Sequence, residues 1–519
     1  MTDAQPLHHA KTLWELVEKR ALLSPEHPML FDVDGTTITF GEFKDLVEAT
    51  AAGLAAMGID SATKVSWQLP TGTDAIVLSM ALSRLGTVQN PIIHLYKERE
   101  VGFALAQTGS EYFFVPGTWK DIDFVAMAER AKEESGASAT IIDLSQGMPS
   151  GDPATLPPAP QGTDAAHAPI KWIYYTSGST AEPKGVQHTD QTLIAGGWGL
   201  AKALDMSPSD VGSIAFPYSH IAGPDYLVTM LIHGFPAVLL DSFNPVSALE
   251  VFNRYGATMV GGATAFYVAY LTEQRKNPGV PILPTLRLMS GGGAAKPPNL
   301  HYEVRDEIGG RGVVHGYGMT EVPMIANGSP HDTDEQLANT DGAPVEGIEL
   351  RIVGTDGTVM APGKEGEIRV KGPMVFKGYT NPELDKEAFD DEGWFRTGDL
   401  GIVRDDGHLS ITGRLKDTIV RKGENISAKE IEDLLSTHEK VNEVAVIGVP
   451  DPERGEMVCA VVMGNPELDP LTFDEMVAFC KDARLMTQKI PERLELRDEM
   501  PRAGTGKIVK KTLKEIYST

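Results

Sequence analysis

Leu13, Trp14, Leu16, Val17 and Leu22 recur at the spacing of one helix face, so the chain opens with an amphipathic helix. The stretch FDVDGTTITF then sets two β-prone runs around Asp34-Gly35, a strong hairpin signal. From Val65 to about Val115, short apolar runs alternate with helical patterns, which predicts βαβ units and a parallel sheet. Residues 145–168 are rich in Pro, Gly and Ala and read as a surface connection between subdomains. A second alternating series runs from Ile170 to about Ile325. IELRIVG, GEIRVKG and LSITG, between Leu350 and Ile411, are short strands closed by Gly-rich turns, a smaller β unit. After Gly413 the texture changes. Ser427 with Glu430 and Thr472 with Glu475 form capping-box signatures for two helices, with strand-like VNEVAVIGV and MVCAVVM between them. The expected fold class is α/β: a large amino-terminal region of parallel-sheet subdomains plus a small β unit, then a small, mobile α+β domain. The expected division is 1–412 and 413–519.

At 519 residues the chain is too long for one core, and length alone suggests roughly three to four structural units. The formal charge of −26, with no basic stripe to offset it, argues against nucleic acid. It also opposes anionic ligands, so a phosphate site here must rely on local donors and a counter-ion such as Mg2+. Cys459 and Cys480 are too few for a disulfide framework or a metal cluster and fit a reducing compartment. No signal-peptide pattern and no run of about 18 apolar residues appears, so the expectation is a cytoplasmic protein without a membrane span. His8 and His9 read as a solvated tail.

The stretch YYTSGSTAEPKGVQHT, behind the apolar run Ile170–Tyr175, suits neither a buried strand nor a stable helix. Small residues let the backbone come close with its N–H groups outward, and hydroxyls and a Lys add donors, so the stretch reads as an anion site. It is not a Walker loop, because Lys184 precedes Gly185; in PRAGTGKI, Pro501 and Ile508 break that pattern too. GGGAAKP lacks the dinucleotide fingerprint.

Six motifs occur in order: TSGSTAEPKG, FPYSHIAG, HGYGMTE, GWFRTGDLG, GRLKDTIVRKGENISAKEIE and PRAGTGKI. Together they resemble the acyl-adenylate-forming superfamily of acyl-CoA synthetases, peptide-synthetase adenylation domains and beetle luciferases, over nearly the full length. The resemblance implies that a carboxylate attacks the α-phosphate of ATP, releasing pyrophosphate, and that a thiol then displaces AMP. It implies that Thr176, Ser177, Gly178, Ser179, Thr180 and Lys184 wrap the β- and γ-phosphates. Thr320 would meet the α-phosphate and Glu321 would hold Mg2+, which takes carboxylate and phosphate oxygens. Tyr317 would stack on adenine within His315, Gly316, Gly318 and Met319, with Gly292, Gly293 and Ala294 giving the ring a close approach. Asp399 and Arg414 would hold the ribose, and Lys507 would serve the α-phosphate. Two departures stand out. Ala181 replaces a usual Gly, costing roughly 1–2 kcal/mol if that position needs φ > 0. His315 replaces the usual Asn, Gln or Asp, which leaves the adenine-amine contact open.

Phe216-Pro217 lacks the Asp with which amino-acid-activating members pair the substrate ammonium. Gly318 stands where acetate-activating members place a Trp, so the acid should be larger than acetate, and Gly318→Trp should shift preference to small acids. By the same resemblance the acyl wall comes from Tyr218, Ile221, Ala222, Thr264, Ala265, Phe266, Gly291, Val322 and Met324, with His220 as a gate to the thiol tunnel. The wall is apolar, which suits fatty, alicyclic, aryl or steroid side-chain acids and disfavours dicarboxylates. Lys416 would be the hinge, and the loop of Gly423 and Glu424 would admit the thiol arm. No carrier domain follows within the twelve residues after Lys507, so coenzyme A is the expected acceptor. The partners are then the acid, ATP and coenzyme A, with the oligomeric state unread. Alternatives are a free-standing ligase loading a carrier protein, a luciferase-like oxygenase, and a non-catalytic ATP-binding module.

Overall fold

Val65, Trp67, Phe113 and Phe114 have no exposed surface, because their strands are buried on both faces beneath the helices that alternate with them. The computed structural model describes residues 7–176, 183–294, 296–421, 424–452, 455–503 and 507–518. The chain divides into two compact units, one of Met1–Glu349 with Val370–Phe395, the other of Leu350–Arg369 with Arg396–Thr519.

Three sheets organise the first unit. In one, Lys64–Trp67, Val88–Pro91, Tyr112–Val115, Thr140–Asp143 and Trp172–Thr176 are parallel, and Lys184–His188 closes an edge antiparallel to Trp172–Thr176. In the second, Met259–Gly262, Leu288–Gly292 and Val313–Met319 are parallel and continue into antiparallel Val322–Asn327 and Ala343–Pro344. The third pairs the predicted hairpin strands Pro28–Phe31 and Thr37–Thr39, and Pro28–Phe31 also runs parallel to Ala237–Leu239. Residues 145–168 are a mostly exposed connection with only short 3-10 turns.

The opening helix, Leu13–Leu23, buries Leu13, Trp14, Leu16, Val17 and Ala21. Leu22 does not join them and is 83% exposed; it lies about 140° round the helix from Val17. The reading of His8 as part of a solvated tail also needs correction, whereas His9 is exposed as expected. His8 stacks on Trp198 with ring centroids 3.8 Å apart. Burial and then the neighbouring His9 lower its pKa.

The second unit contains the strands Phe395–Val403 and Leu409–Arg414 of a four-stranded sheet, and a five-stranded sheet around the hairpin Val441–Asp451 and Gly455–Gly464. Val446, Val458 and Ala460 face one core with Ile431, Leu435 and Cys480, while Ala445, Ile447 and Cys459 face another with Leu513. Helices on both sides thus explain why both strands read as continuous apolar runs. Thr472 and Glu475 complete a capping box. Ser427 accepts from the Glu430 N–H and donates to the Thr412 carbonyl. Both cysteines are buried and free. Among the described residues no helix is long and apolar enough to cross a membrane.

Candidate active site

In the first unit, Lys184 lies directly across the sheet edge from Thr176. The residues between them lie outside the described residues at 177–182, so Ser177, Gly178, Ser179, Thr180 and Ala181 have no structural account here. The segment Phe376–Thr380 runs along this edge. Lys377 N–H donates to Gln187 O (2.8 Å), Gln187 N–H to Gly378 O (3.1 Å) and Thr380 N–H to Gly185 O (2.8 Å). The same segment reaches Glu321: Phe376 N–H donates to its backbone carbonyl at 2.9 Å, and Tyr379 Oη donates to its Oε1 at 2.8 Å. The Lys184 ammonium sits 5.0 Å from the centroid of the Tyr379 ring. A cation is therefore brought to the ring, and a carboxylate to the hydroxyl, of one tyrosine.

His188 secures the neighbouring residue. Its Nε2 lies 2.8 Å from the Thr320 carbonyl oxygen and its Nδ1 2.8 Å from Thr192 Oγ1. Since a carbonyl only accepts, Nε2 carries the proton. Burial pushes the His188 pKa down to about 4, so the imidazole is neutral. Lys184, the Thr320 hydroxyl and the Glu321 carboxylate form a donor and acceptor set suited to a polyphosphate with its metal. Among the described residues no three His, Cys, Asp or Glu side chains form a metal cage. A single carboxylate suits a hard cation held largely by phosphate oxygens.

The parallel strands Met259–Gly262 and Leu288–Gly292 end in glycine, beside Gly316 within Val313–Met319. Gly262 pairs Gly291, and Gly292 pairs Gly316. Gly291 and Gly292 are required by backbone contact: a Cβ at Gly291 would lie 1.7 Å from Gly262 O, and one at Gly292 2.4 Å from Gly316 O. The result is a side-chain-free ledge at the carboxyl ends of parallel strands, the usual place for a ligand in such sheets. Gly293 (φ +80°) carries the chain off this ledge, and Gly293 and Ala294 are exposed. Tyr317 is 7% exposed. Buried His315 places Nε2 4.0 Å from Asp341 Oδ1.

Gly318 changes the expectation drawn from it. A Cβ there would lie 2.0 Å from the Pro323 carbonyl oxygen, because Tyr317 and Met319 flank an irregularity where the strand turns back into Val322–Asn327. The space beside Gly318 is filled by backbone. The acyl-wall residues are also less uniform than expected. Tyr218 is fully buried, with its hydroxyl 2.8 Å from Ser79 Oγ and its ring stacked on Trp67. Val322 is fully buried as well. Ala222, Thr264, Phe266, Gly291 and Met324 are half-buried, and Ala265 is exposed. A small cavity of about 20 Å³ is bordered by His220, Ile221 and Thr320 together with Ile93, Tyr96 and Tyr174. Of the expected wall, only Ile221 reaches it, together with the gate His220.

In the second unit, Asp399 and Arg414 are directly paired across adjacent strands, and Arg414 Nε lies 3.0 Å from Asp399 Oδ1. Lys507 as a whole residue is exposed. Its pKa is nevertheless lowered, first by desolvation of the ammonium and next by the Arg414 charge; Asp399 acts in the opposite direction and Lys416 adds to the lowering. These four residues thus share one electrostatic neighbourhood. Glu424 begins the strand Glu424–Ile426, paired antiparallel to Ile419–Arg421; Gly423 lies outside the described residues.

Sequence reasoning missed His188 and Tyr379. His188 stands just past a motif segment and Tyr379 between two of them, and their partners Thr320 and Glu321 are 132 and 58 residues away. The available signal was compositional: a polar His inside a strand, and GY before the turn TNPEL.

Comparison with known proteins agrees with this geometry. The family model described as AMP-binding enzyme matches residues 17–380, and that of the AMP-binding enzyme C-terminal domain matches 430–507. The chain is 30% identical to a medium-chain fatty-acid–CoA ligase of Escherichia coli (strain K12), over 96% of this chain and 89% of that one. It is 31% identical to a sulfoacetate–CoA ligase of Cupriavidus necator, over 96% of each. Among solved structures, O-succinylbenzoate coenzyme A synthetase from Bacillus subtilis in complex with ATP and magnesium ion superposes with a TM-score of 0.84 at 29% identity, covering 96% of this chain and 99% of that one. The chain belongs to the AMP-binding enzyme family, among its AMP-forming acid–thiol ligases.

Proposed function

We propose that the protein activates a hydrophobic carboxylic acid larger than acetate as its acyl-adenylate, with release of pyrophosphate, and passes the acyl group to coenzyme A. The observation that carries the reading is the glycine ledge beside Thr320 and Glu321, with Lys184 held nearby on the Tyr379 ring. A purine can lie against bare backbone there, while a cation and a hydroxyl meet phosphate oxygens. Lys184 neutralises the β- and γ-phosphates, and Thr320 orients the α-phosphate for in-line attack. Glu321 would hold Mg2+, which supplies charge neutralisation for the departing pyrophosphate. Asp399 accepts from the ribose hydroxyls and Arg414 donates to them. Lys507, close enough to feel both, stabilises charge gathering on the α-phosphate. Charge stabilisation by preorganised donors of this kind is the main catalytic term open to such a site.

The relatives act on acids as different as a fatty acid and sulfoacetate, so the acid is read from this chain alone. Phe216-Pro217 provides no carboxylate for an amine, and Ile221 on the small cavity, with half-buried Phe266 and Met324, favours an apolar tail. Pyrophosphate release over a panel of acids, with and without coenzyme A, tests the reading. Release that requires a hydrophobic acid and turns over only with coenzyme A is expected, with Lys184→Ala slowing it by ~10²–10³. No acid-dependent release would exclude ligase activity; acetate preferred over six-carbon and larger acids would exclude the hydrophobic substrate.

A further inference from the structure

We propose that Tyr379 is a positioning residue that sets the orientation of the metal-binding carboxylate and couples it to the phosphate-binding lysine, an inference that rests on the function proposed above.

Four contacts converge on this residue. Its hydroxyl donates to Glu321 Oε1 at 2.8 Å. Its ring carries the Lys184 ammonium at 5.0 Å, within the range of a cation–π contact. Its N–H donates to Asp385 Oδ1 at 2.8 Å, and its carbonyl accepts from Gln187 Nε2 at 2.7 Å. The last two fix the backbone of the turn, and Gly378 (φ +103°) supplies the conformation that lets the turn form. With the backbone fixed, one rigid ring spans the lysine and the carboxylate. Fixing one carboxylate oxygen fixes the carboxylate plane, and with it the direction from which a cation can be bound.

The hydroxyl is a dependable donor. A phenol carries one proton to donate, and here it is directed at Glu321 Oε1. Partners of this kind behind a metal ligand typically matter about 10–100-fold in metal affinity.

The test uses the full chain and reads ATP binding by calorimetry at a series of Mg2+ concentrations, in the absence of any acid. Tyr379→Phe keeps the ring and removes the hydroxyl. It should raise the half-saturating Mg2+ concentration about tenfold and leave the thermal midpoint and metal-free ATP binding near wild type. In a Glu321→Gln background the same change should move half-saturation by less than about twofold, because the partner charge is already gone. Tyr379→Leu should additionally weaken metal-free ATP binding through loss of the surface beneath Lys184. Unchanged Mg2+ dependence in Tyr379→Phe overturns the proposal. So does an equal loss in both backgrounds, or a failure to fold, since either makes Tyr379 a structural residue only. A wild-type chain that binds ATP without Mg2+ dependence would instead count against the nucleotide site itself.

Discussion

At His188 a neutral imidazole holds the carbonyl of Thr320, and that neutrality has a measurable price in acid. Its pKa is about 4 in the fold against 6.5 for an unperturbed histidine. As pH falls below 6.5 the unfolded chain takes up a proton that the folded one refuses, so this group removes stability progressively until about pH 4. The whole effect is about 3 kcal/mol. His188→Leu should cost ~1–3 kcal/mol near pH 7, because the Thr320 carbonyl loses its donor. The gap to wild type should then narrow between pH 6.5 and about 4, as the acid penalty vanishes with the imidazole. Urea unfolding at several pH values measures this; a gap independent of pH would refute it. Lys184 stood out in the sequence as a cation in a stretch rich in Gly and hydroxyls, whereas the roles proposed for Thr320 and Glu321 came only from the family resemblance. His188 and Tyr379 were not legible, since each acts through a partner far along the chain, and nothing in local spacing records such a partner.

Elements were legible where period or turn chemistry speaks. Asp34-Gly35 gave the hairpin, and apolar runs gave the parallel strands. Partnership was less visible: Pro28–Phe31 joins Ala237–Leu239, some 200 residues away, and no alternation within either strand encodes that choice. The strand ends carry a similar lesson. GG and GGG look like flexible turns in isolation, yet Gly261, Gly291 and Gly292 are there because neighbouring backbones occupy the side-chain positions. Gly318 is the sharpest case. Gly318→Ala should lower stability by ~1–3 kcal/mol, the usual effect of overpacking, and slow pyrophosphate release with short and long acids alike. A preserved midpoint with a switch towards acetate would restore the view that Gly318 opens a pocket. Thermal melts and the acid panel together decide between them.

At the scale of the molecule, the sequence marked where texture changes but not which pieces cohere. The strands between Leu350 and Ile411 were read as part of the large amino-terminal region, yet most of that stretch belongs to the second compact unit with Asp399, Arg414 and Lys507. Long-range packing decides that grouping, and composition is blind to it. The proposed turning part, 413–519, begins inside the strand Leu409–Arg414, just before the proposed hinge at Lys416. A lysine on a lid can serve one half-reaction and be withdrawn for the next. Lys507 suits the first half, since it shares an electrostatic neighbourhood with Asp399 and Arg414, the proposed ribose residues. Turning about Lys416 would then bring Gly423, which lies outside the described residues, to the place where a thiol arm must pass. Lys507→Ala should therefore abolish acyl-adenylate formation, followed by pyrophosphate release, while leaving thioester formation from supplied acyl-adenylate nearly intact. Gly423→Leu should do the opposite, sparing the adenylate and blocking the thiol. Both half-reactions must be assayed separately in both variants. An equal loss in each would leave the adenylation assignment standing but remove the alternating lid, because one static arrangement would then serve both steps.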